Sequence, residues 1–168
     1  MSKSIAILGS TGSVGTNTLR VISEHPEEYR VSSLAVGKNI ELAKEQVRQF
    51  NPRLISVARK EDAESLRVEL GSQVKVVWGK EGLEEVARDP YADTVVTAVV
   101  GSLGLRATLA ALDAGKCVAL ANKETLVAGG ELVMRLAKAS NAAILPVDSE
   151  HSAIFQCLNG EDRSSVSR

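Results

Sequence analysis

Ser4-Ile5-Ala6-Ile7-Leu8, followed at once by Gly9-Ser10-Thr11-Gly12-Ser13-Val14-Gly15, decides the fold. The first five residues form an apolar run of strand length. From Thr16 onward the apolar residues Leu19, Val21 and Ile22 fall at helical spacing. Strand, glycine turn and helix in that order are the setting of a dinucleotide fingerprint. A diphosphate bound there lies against backbone N–H groups at the positive end of a helix dipole. Bulky side chains at the turn would keep it out. Gly9, Gly12 and Gly15 bring none, and Ser10, Thr11 and Ser13 are small hydrogen-bond donors. The spacing is G-x-x-G-x-x-G rather than G-x-G-x-x-G, so a plain glycine turn between strand and helix stands as the alternative.

The same alternation continues along the chain. Strands are expected at Tyr29–Val36, Leu54–Val57, Val74–Trp78, Thr94–Val100, Cys117–Leu120 and Ala143–Leu145. Helices are expected at Ile40–Phe50, Glu61–Leu70, Leu83–Arg88, Leu105–Ala114, Leu126–Ser140 and Ser152–Leu158, with a break at Gly129-Gly130. This pattern predicts an α/β fold: a doubly wound, Rossmann-like, mostly parallel sheet with helices on both faces. Ligands in such sheets bind beyond the carboxyl ends of the strands. The polar clusters Gly37-Lys38-Asn39, Asn122-Lys123-Glu124 and Asp148-Ser149-Glu150 all stand there. Trp78 closes an apolar strand and is expected to pack at the core or its rim. His25 sits in a His-Pro turn that ends a helix.

The chain has 168 residues, enough for one domain and a little more, and a net charge of −1 with both signs dispersed. That balance, with only 3% aromatic residues, argues against nucleic-acid and anionic-membrane partners. No apolar run approaches the ~20 residues that span a bilayer. Met1-Ser2-Lys3-Ser4 leads into the first strand without a signal-peptide core. Cys117 and Cys157 form no metal-spaced pair and are expected to be reduced thiols.

Three clusters have chemical potential. The end of the second strand lacks the acid that holds an NAD ribose. Lys38 there tips the cofactor towards NADP(H); alternatively it is a surface lysine and Asn39 caps the next helix. Asn122-Lys123-Glu124 puts a donor, a cation and an anion on one loop, which also suits a helix cap. Asp148 and Glu150 can converge on one divalent cation, Mg²⁺ or Mn²⁺, through oxygen ligands. The competing reading is a helix start, with Asp148 or Ser149 as cap and Glu150 favoured by the dipole.

Taken together, the glycine turn, Ala119-Leu120-Ala121-Asn122-Lys123-Glu124-Thr125-Leu126-Val127 and Leu145-Pro146-Val147-Asp148-Ser149-Glu150-His151-Ser152-Ala153-Ile154-Phe155-Gln156 resemble 1-deoxy-D-xylulose 5-phosphate reductoisomerases of the non-mevalonate isoprenoid pathway. The resemblance implies an NADPH- and metal-dependent rearrangement and reduction to 2-C-methyl-D-erythritol 4-phosphate. It places Thr11, Gly12, Ser13 and Val14 on the cofactor diphosphate, and Gly37, Lys38 and Asn39 on the adenosine. Asn122 and Glu124 would touch NADPH, and Lys123 the phosphosugar substrate. Asp148 and Glu150 would ligate Mg²⁺ or Mn²⁺, with Ser149 and Glu150 also on substrate; Lys123 and Glu150 are thus the catalytic candidates. Residues 1–147 would form the NADPH-binding domain and 148–168 the start of a catalytic domain. The third metal ligand, a flexible loop and the main phosphate-binding residues are expected beyond Arg168. The chain alone is therefore expected to bind NADPH weakly and not to turn over, while the full-length protein would be a homodimer. The family implies a bacterial cytoplasm, or a plastid stroma after loss of a transit peptide. Two rivals are a non-catalytic NADP-binding module and a semialdehyde dehydrogenase-like reductase. The latter needs a poised cysteine, and Cys117 in a strand and Cys157 on a helix do not suit.

Overall fold

Lys3–Leu8 forms the central strand, β1, and its side chains alternate between two cores. Ile5 and Ile7 enter one, Ala6 and Leu8 the other, as the two-residue repeat of a strand requires. Around it run α1 (Ser13–Glu24), β2 (Tyr29–Ala35), α2 (Ile40–Phe50), β3 (Leu54–Val57), α3 (Lys60–Leu70), β4 (Lys75–Trp78) and α4 (Gly79–Ala87). Then follow β5 (Thr94–Thr97), α5 (Ser102–Asp113), β6 (Cys117–Leu120), α6 (Glu124–Ala139), β7 (Ile144–Pro146) and α7 (Ser149–Cys157). This computed structural model describes residues 2–162, 164 and 166, except the side chain of Ser102. Arg163, Ser165, Ser167 and Arg168 of the expected polar tail, and Met1, lie outside the described residues.

The strands form one seven-stranded sheet in the order β4-β3-β2-β1-β5-β6-β7, and every pair is parallel. Leu19 and Ile22 of α1, Ala43 and Val47 of α2, and Ala63 and Leu66 of α3 cover one face. Val86 of α4, Leu112 of α5 and Val133 of α6 cover the other. Burying each large apolar side chain contributes about 1.5–3 kcal/mol. The chain winds outward from β1 to β4, crosses back to β5 beside β1, and winds outward again to β7. The strand order therefore reverses between β1 and β5, and that is where a doubly wound sheet opens a crevice.

Several boundaries differ from the sequence reading. β5 stops at Thr97 instead of Val100. Ala98 N–H still donates to the Leu8 carbonyl at 2.9 Å, but Val99 and Val100 leave the sheet, and Val100 is 83% exposed. α1 starts at Ser13, before Thr16, because Gly12 caps it in extended conformation. α4 starts at Gly79, before Leu83. α7 starts at Ser149, before Ser152, because the Asp148 side chain caps it. In α6 the expected break is a kink at Gly129 (φ −149°, ψ 26°) inside one helix. A Cβ there would stand 2.9 Å from Leu105 Cδ1, so the glycine lets α6 settle on α5. Trp78 lies at the rim, with the Arg67 guanidinium 4.9 Å from its ring centroid. His25 ends α1, its N–H donating to the Val21 and Ile22 carbonyls.

Candidate functional site

The carboxyl ends of neighbouring strands bring the polar clusters to one rim. The glycine loop between β1 and α1 is held by backbone: Gly9 and Ser10 N–H both donate to the Ala35 carbonyl, at 2.8 and 3.0 Å. Gly9 has φ +90°, and a Cβ there would stand 2.7 Å from the Ala98 carbonyl oxygen. Gly12 differs. A Cβ there would meet only Gly9 O, at 3.4 Å, so the space in front of it is open.

The first-turn N–H groups of Ser13, Val14 and Gly15 have no intrahelical acceptor, as at any helix start. Gly12 brings no side chain to cap them, and the first turn carries no acid. α5, which starts on the other side of the crevice, shares both properties. The remaining helices carry an acid in their first turns. The two helix starts with neither a side-chain cap nor a first-turn acid thus flank the switch point. Thr11 and Val14 are half-buried and Gly12 and Ser13 exposed, which leaves the loop's outer surface open to a ligand.

Ser10 is not among the available donors. It is fully buried, and its hydroxyl donates to Gln46 Oε1 at 2.7 Å. Gln46 Nε2 donates back to the Ser10 carbonyl at 2.9 Å. This closed pair clamps the glycine loop to α2. Helical spacing puts Gln46 on the buried face of α2 beside Ala43 and Val47, where a polar residue needs a partner. Gln46→Leu leaves both Ser10 groups unpartnered, so urea unfolding should show a loss of about 1–3 kcal/mol. An unchanged midpoint would mean that the clamp contributes nothing.

Next to the loop lies a cleft of about 430 Å³ lined by Gly9, Gly37, Ala58, Lys80, Val100 and Leu103, among others. Its walls are the ends of β1, β2 and β3, the start of α4, and the segment after β5. The apolar run Ala98-Val99-Val100 that left the sheet forms one wall. No acidic residue lines it, and a Cβ at Gly37 would meet nothing within 4 Å. Lys38 and Asn39 follow Gly37 and are exposed. The Asn39 side chain accepts from Leu42 N–H at 3.2 Å, so the capping alternative holds for Asn39.

Asn122 is 5% exposed and does not cap α6. Its Nδ2 donates to the Val99 carbonyl, tying the end of β6 to the segment after β5. Its Oδ1 is buried and has no hydrogen-bond partner among the described residues. Gly104 of α5 leaves room for the amide. Glu124 is exposed in the first turn of α6, where the dipole favours it.

Lys123 Nζ lies 2.7 Å from Glu150 Oε1, so the clusters after β6 and β7 meet. Each partner stabilises the other's charge. The Glu150 carboxylate raises the Lys123 pKa, and the Lys123 ammonium lowers that of Glu150. Asp148 Oδ2 lies 2.6 Å from His151 Nδ1 and also accepts the His151 backbone N–H. Hydrogen bonding from the His151 ring is the main cause that lowers the Asp148 pKa. Asp148 is therefore a helix cap and an oriented carboxylate together. Ser149 opens α7. Among the described residues no third His, Cys, Asp or Glu joins Asp148 and Glu150 as a metal-sized group. No helix among them is long and apolar enough to cross a membrane.

The family profile described as 1-deoxy-D-xylulose 5-phosphate reductoisomerase matches residues 5–130. A curated relative of that name from Shouchella clausii is 53% identical over 166 residues, covering 99% of this chain and 44% of the relative. One from Geobacillus sp. is 52% identical with the same coverage. Among solved structures, a 1-deoxy-D-xylulose 5-phosphate reductoisomerase from Zymomonas mobilis in complex with NADPH superimposes with TM-score 0.93 at 37% identity. That match covers 100% of this chain and 44% of that one. A reductoisomerase in complex with NADPH, fosmidomycin and magnesium matches with TM-score 0.88 at 44% identity, covering 92% of this chain and 38% of that one. The chain thus spans less than half the length of the proteins it matches.

Proposed function

This chain belongs to the 1-deoxy-D-xylulose 5-phosphate reductoisomerase family, and we propose that it is the NADPH-binding part of such an enzyme. The whole enzyme converts 1-deoxy-D-xylulose 5-phosphate to 2-C-methyl-D-erythritol 4-phosphate. The observation that carries this reading is the order of the rim. The open glycine cradle, the acid-free cleft and the Lys123–Glu150 contact follow one another along β2, β1, β5, β6 and β7.

In this reading Thr11, Gly12, Ser13 and Val14 take the cofactor diphosphate on free N–H groups and small side chains. Gly37, Lys38 and Asn39 take the adenosine, with Lys38 facing its 2′-phosphate. Asn122 holds the floor of the nicotinamide side, and its unpartnered Oδ1 offers an acceptor there; Glu124 borders the same side. Lys123 binds a substrate anion. Ser149 and Glu150 touch substrate, and Lys123 and Glu150 are the catalytic side chains of this segment.

Asp148 and Glu150 are hard oxygen donors at one helix start, and so fit Mg²⁺ or Mn²⁺ as part of a ligand set. His151 fixes the Asp148 carboxylate, while Glu150 must part from Lys123 to ligate. Bound NADPH supplies hydride, and a bound divalent cation polarises a substrate carbonyl. We place the boundary of the NADPH-binding domain at residue 147, with the catalytic domain beginning at 148. Further ligands and the main phosphate anchor belong to the additional length seen in the relatives. A homodimer in the bacterial cytoplasm is the proposed state of the full-length protein.

NADPH fluorescence titration tests the proposal. The chain should bind NADPH saturably, bind NADH about tenfold more weakly, and show no turnover of 1-deoxy-D-xylulose 5-phosphate. Absence of NADPH binding, or equal binding of NADH, would refute the cofactor assignment. Turnover by the purified chain would refute its dependence on further segments.

A further inference from the structure

Lys80 lines the cleft opposite the end of β2. It is the second residue of α4, whose start wraps the end of β4. Only β3 separates β2 from β4. Adjacent strands lie about 4.8 Å apart, so the ends carrying Gly37 and Gly79 are roughly 10 Å apart. A lysine side chain reaches about 6 Å, so ammonium groups from both ends can meet one phosphate between them.

The surrounding charges favour these two lysines over their neighbour. Arg59 follows the cleft residue Ala58, but its guanidinium is held by the Asp62 carboxylate through two bonds of 2.8 Å. The side chains of Lys38 and Lys80 have no ion pair or hydrogen bond among the described residues. Lys60 and Lys75, by contrast, are held by Glu64 and Glu85. Here Lys80 lines an acid-free, largely apolar cleft, and Lys38 directly follows its lining residue Gly37.

We infer that Lys80 is a second specificity-determining residue for the 2′-phosphate of the cofactor, acting across the cleft from Lys38. The inference rests on the reading of the cleft as the adenosine site. It divides the cofactor preference between two walls: one cation next to the ribose-binding turn, the other on the first turn of α4. A ligand without the 2′-phosphate gains nothing from either.

The test is calorimetric titration of the chain, as wild type and as Lys80→Gln, with 2′,5′-ADP and with 5′-AMP. Wild type should prefer 2′,5′-ADP. Lys80→Gln should weaken 2′,5′-ADP about fivefold and leave 5′-AMP within twofold. Lys80→Arg should restore most of the loss, and circular dichroism melts should match wild type throughout. Equal weakening of both nucleotides would make Lys80 a shaping residue of the cleft and overturn the inference. So would an unchanged preference in Lys80→Gln. If wild type binds neither nucleotide, the adenosine assignment itself fails, and the role of Lys80 falls with it. If it binds both equally, the adenosine site stands and the phosphate role is overturned.

Discussion

Gly15→Val should cost the chain about 3 kcal/mol or more and abolish NADPH binding, whereas Gly12→Ala should abolish binding with little loss of stability. A Cβ at Gly15 would stand 2.5 Å from Ser10 Cα and 2.8 Å from the Ser10 carbonyl carbon. Both are backbone atoms, so no rotamer change relieves the clash. Nor can the loop step back. Ser10 N–H is bonded to the Ala35 carbonyl, and the Ser10 side chain is locked to Gln46. α1 would have to lift, which uncovers Leu19 and Ile22 in the first core. Gly12 has φ −83° and ψ 172°, a conformation open to any residue, and the nearest atom to a Cβ there is 3.4 Å away. An alanine fits the fold but fills the cradle in front of the helix start. Urea unfolding and NADPH titration of the two variants separate the roles. Unchanged NADPH affinity in Gly12→Ala would remove the diphosphate from this loop. Wild-type stability of Gly15→Val would mean that α1 is not pinned as described.

The contrast bears on what a sequence can disclose. Elements whose apolar spacing matches their packing were legible: α2, β3 and β6 have the bounds read from the sequence. Errors fall where one residue serves two demands. Val99 and Val100 continue the apolar run of β5, yet they wall the cleft, so periodicity alone overextended the strand. Gly79-Lys80-Glu81-Gly82 lies ahead of the helix expected at Leu83–Arg88, but it is the first turn of α4. Gly82 is needed there because a Cβ would stand 2.8 Å from Ser56 Oγ, and missing that contact also hid Lys80. Asp148 and Glu150 were legible as acids at a strand end. Their partners were not, since Lys123 is joined to Glu150 across 27 residues and only the adjacency of β6 and β7 brings them together. The pairing of Ser10 with Gln46, across 36 residues, was hidden for the same reason.

That long-range pair sets the second large effect. Lys123→Gln should bind Mn²⁺ about tenfold more tightly than wild type, while a reductoisomerase of its relatives' length carrying the change should lose about 100-fold or more in turnover. In the chain as it stands, the Lys123 ammonium occupies Glu150 Oε1 at 2.7 Å. A divalent cation must displace it and then tolerate a positive charge near by. At about 4 Å a unit charge repels a divalent cation by roughly 2 kcal/mol in a water-like medium, enough for the expected gain. Both side chains are exposed, so the ion pair itself adds at most about 1 kcal/mol to that competition. The loss of turnover has another origin. If Lys123 anchors a substrate anion as proposed, its loss frees that anion, and misplacing the reacting carbons by about 1 Å suffices for a 100-fold penalty. Manganese relaxation titrations on the chain and steady-state rates on the longer enzyme would move in opposite directions. Weaker Mn²⁺ binding in Lys123→Gln would show that the lysine supports the cation site instead of competing for it. Turnover near the wild-type rate would remove Lys123 from substrate binding.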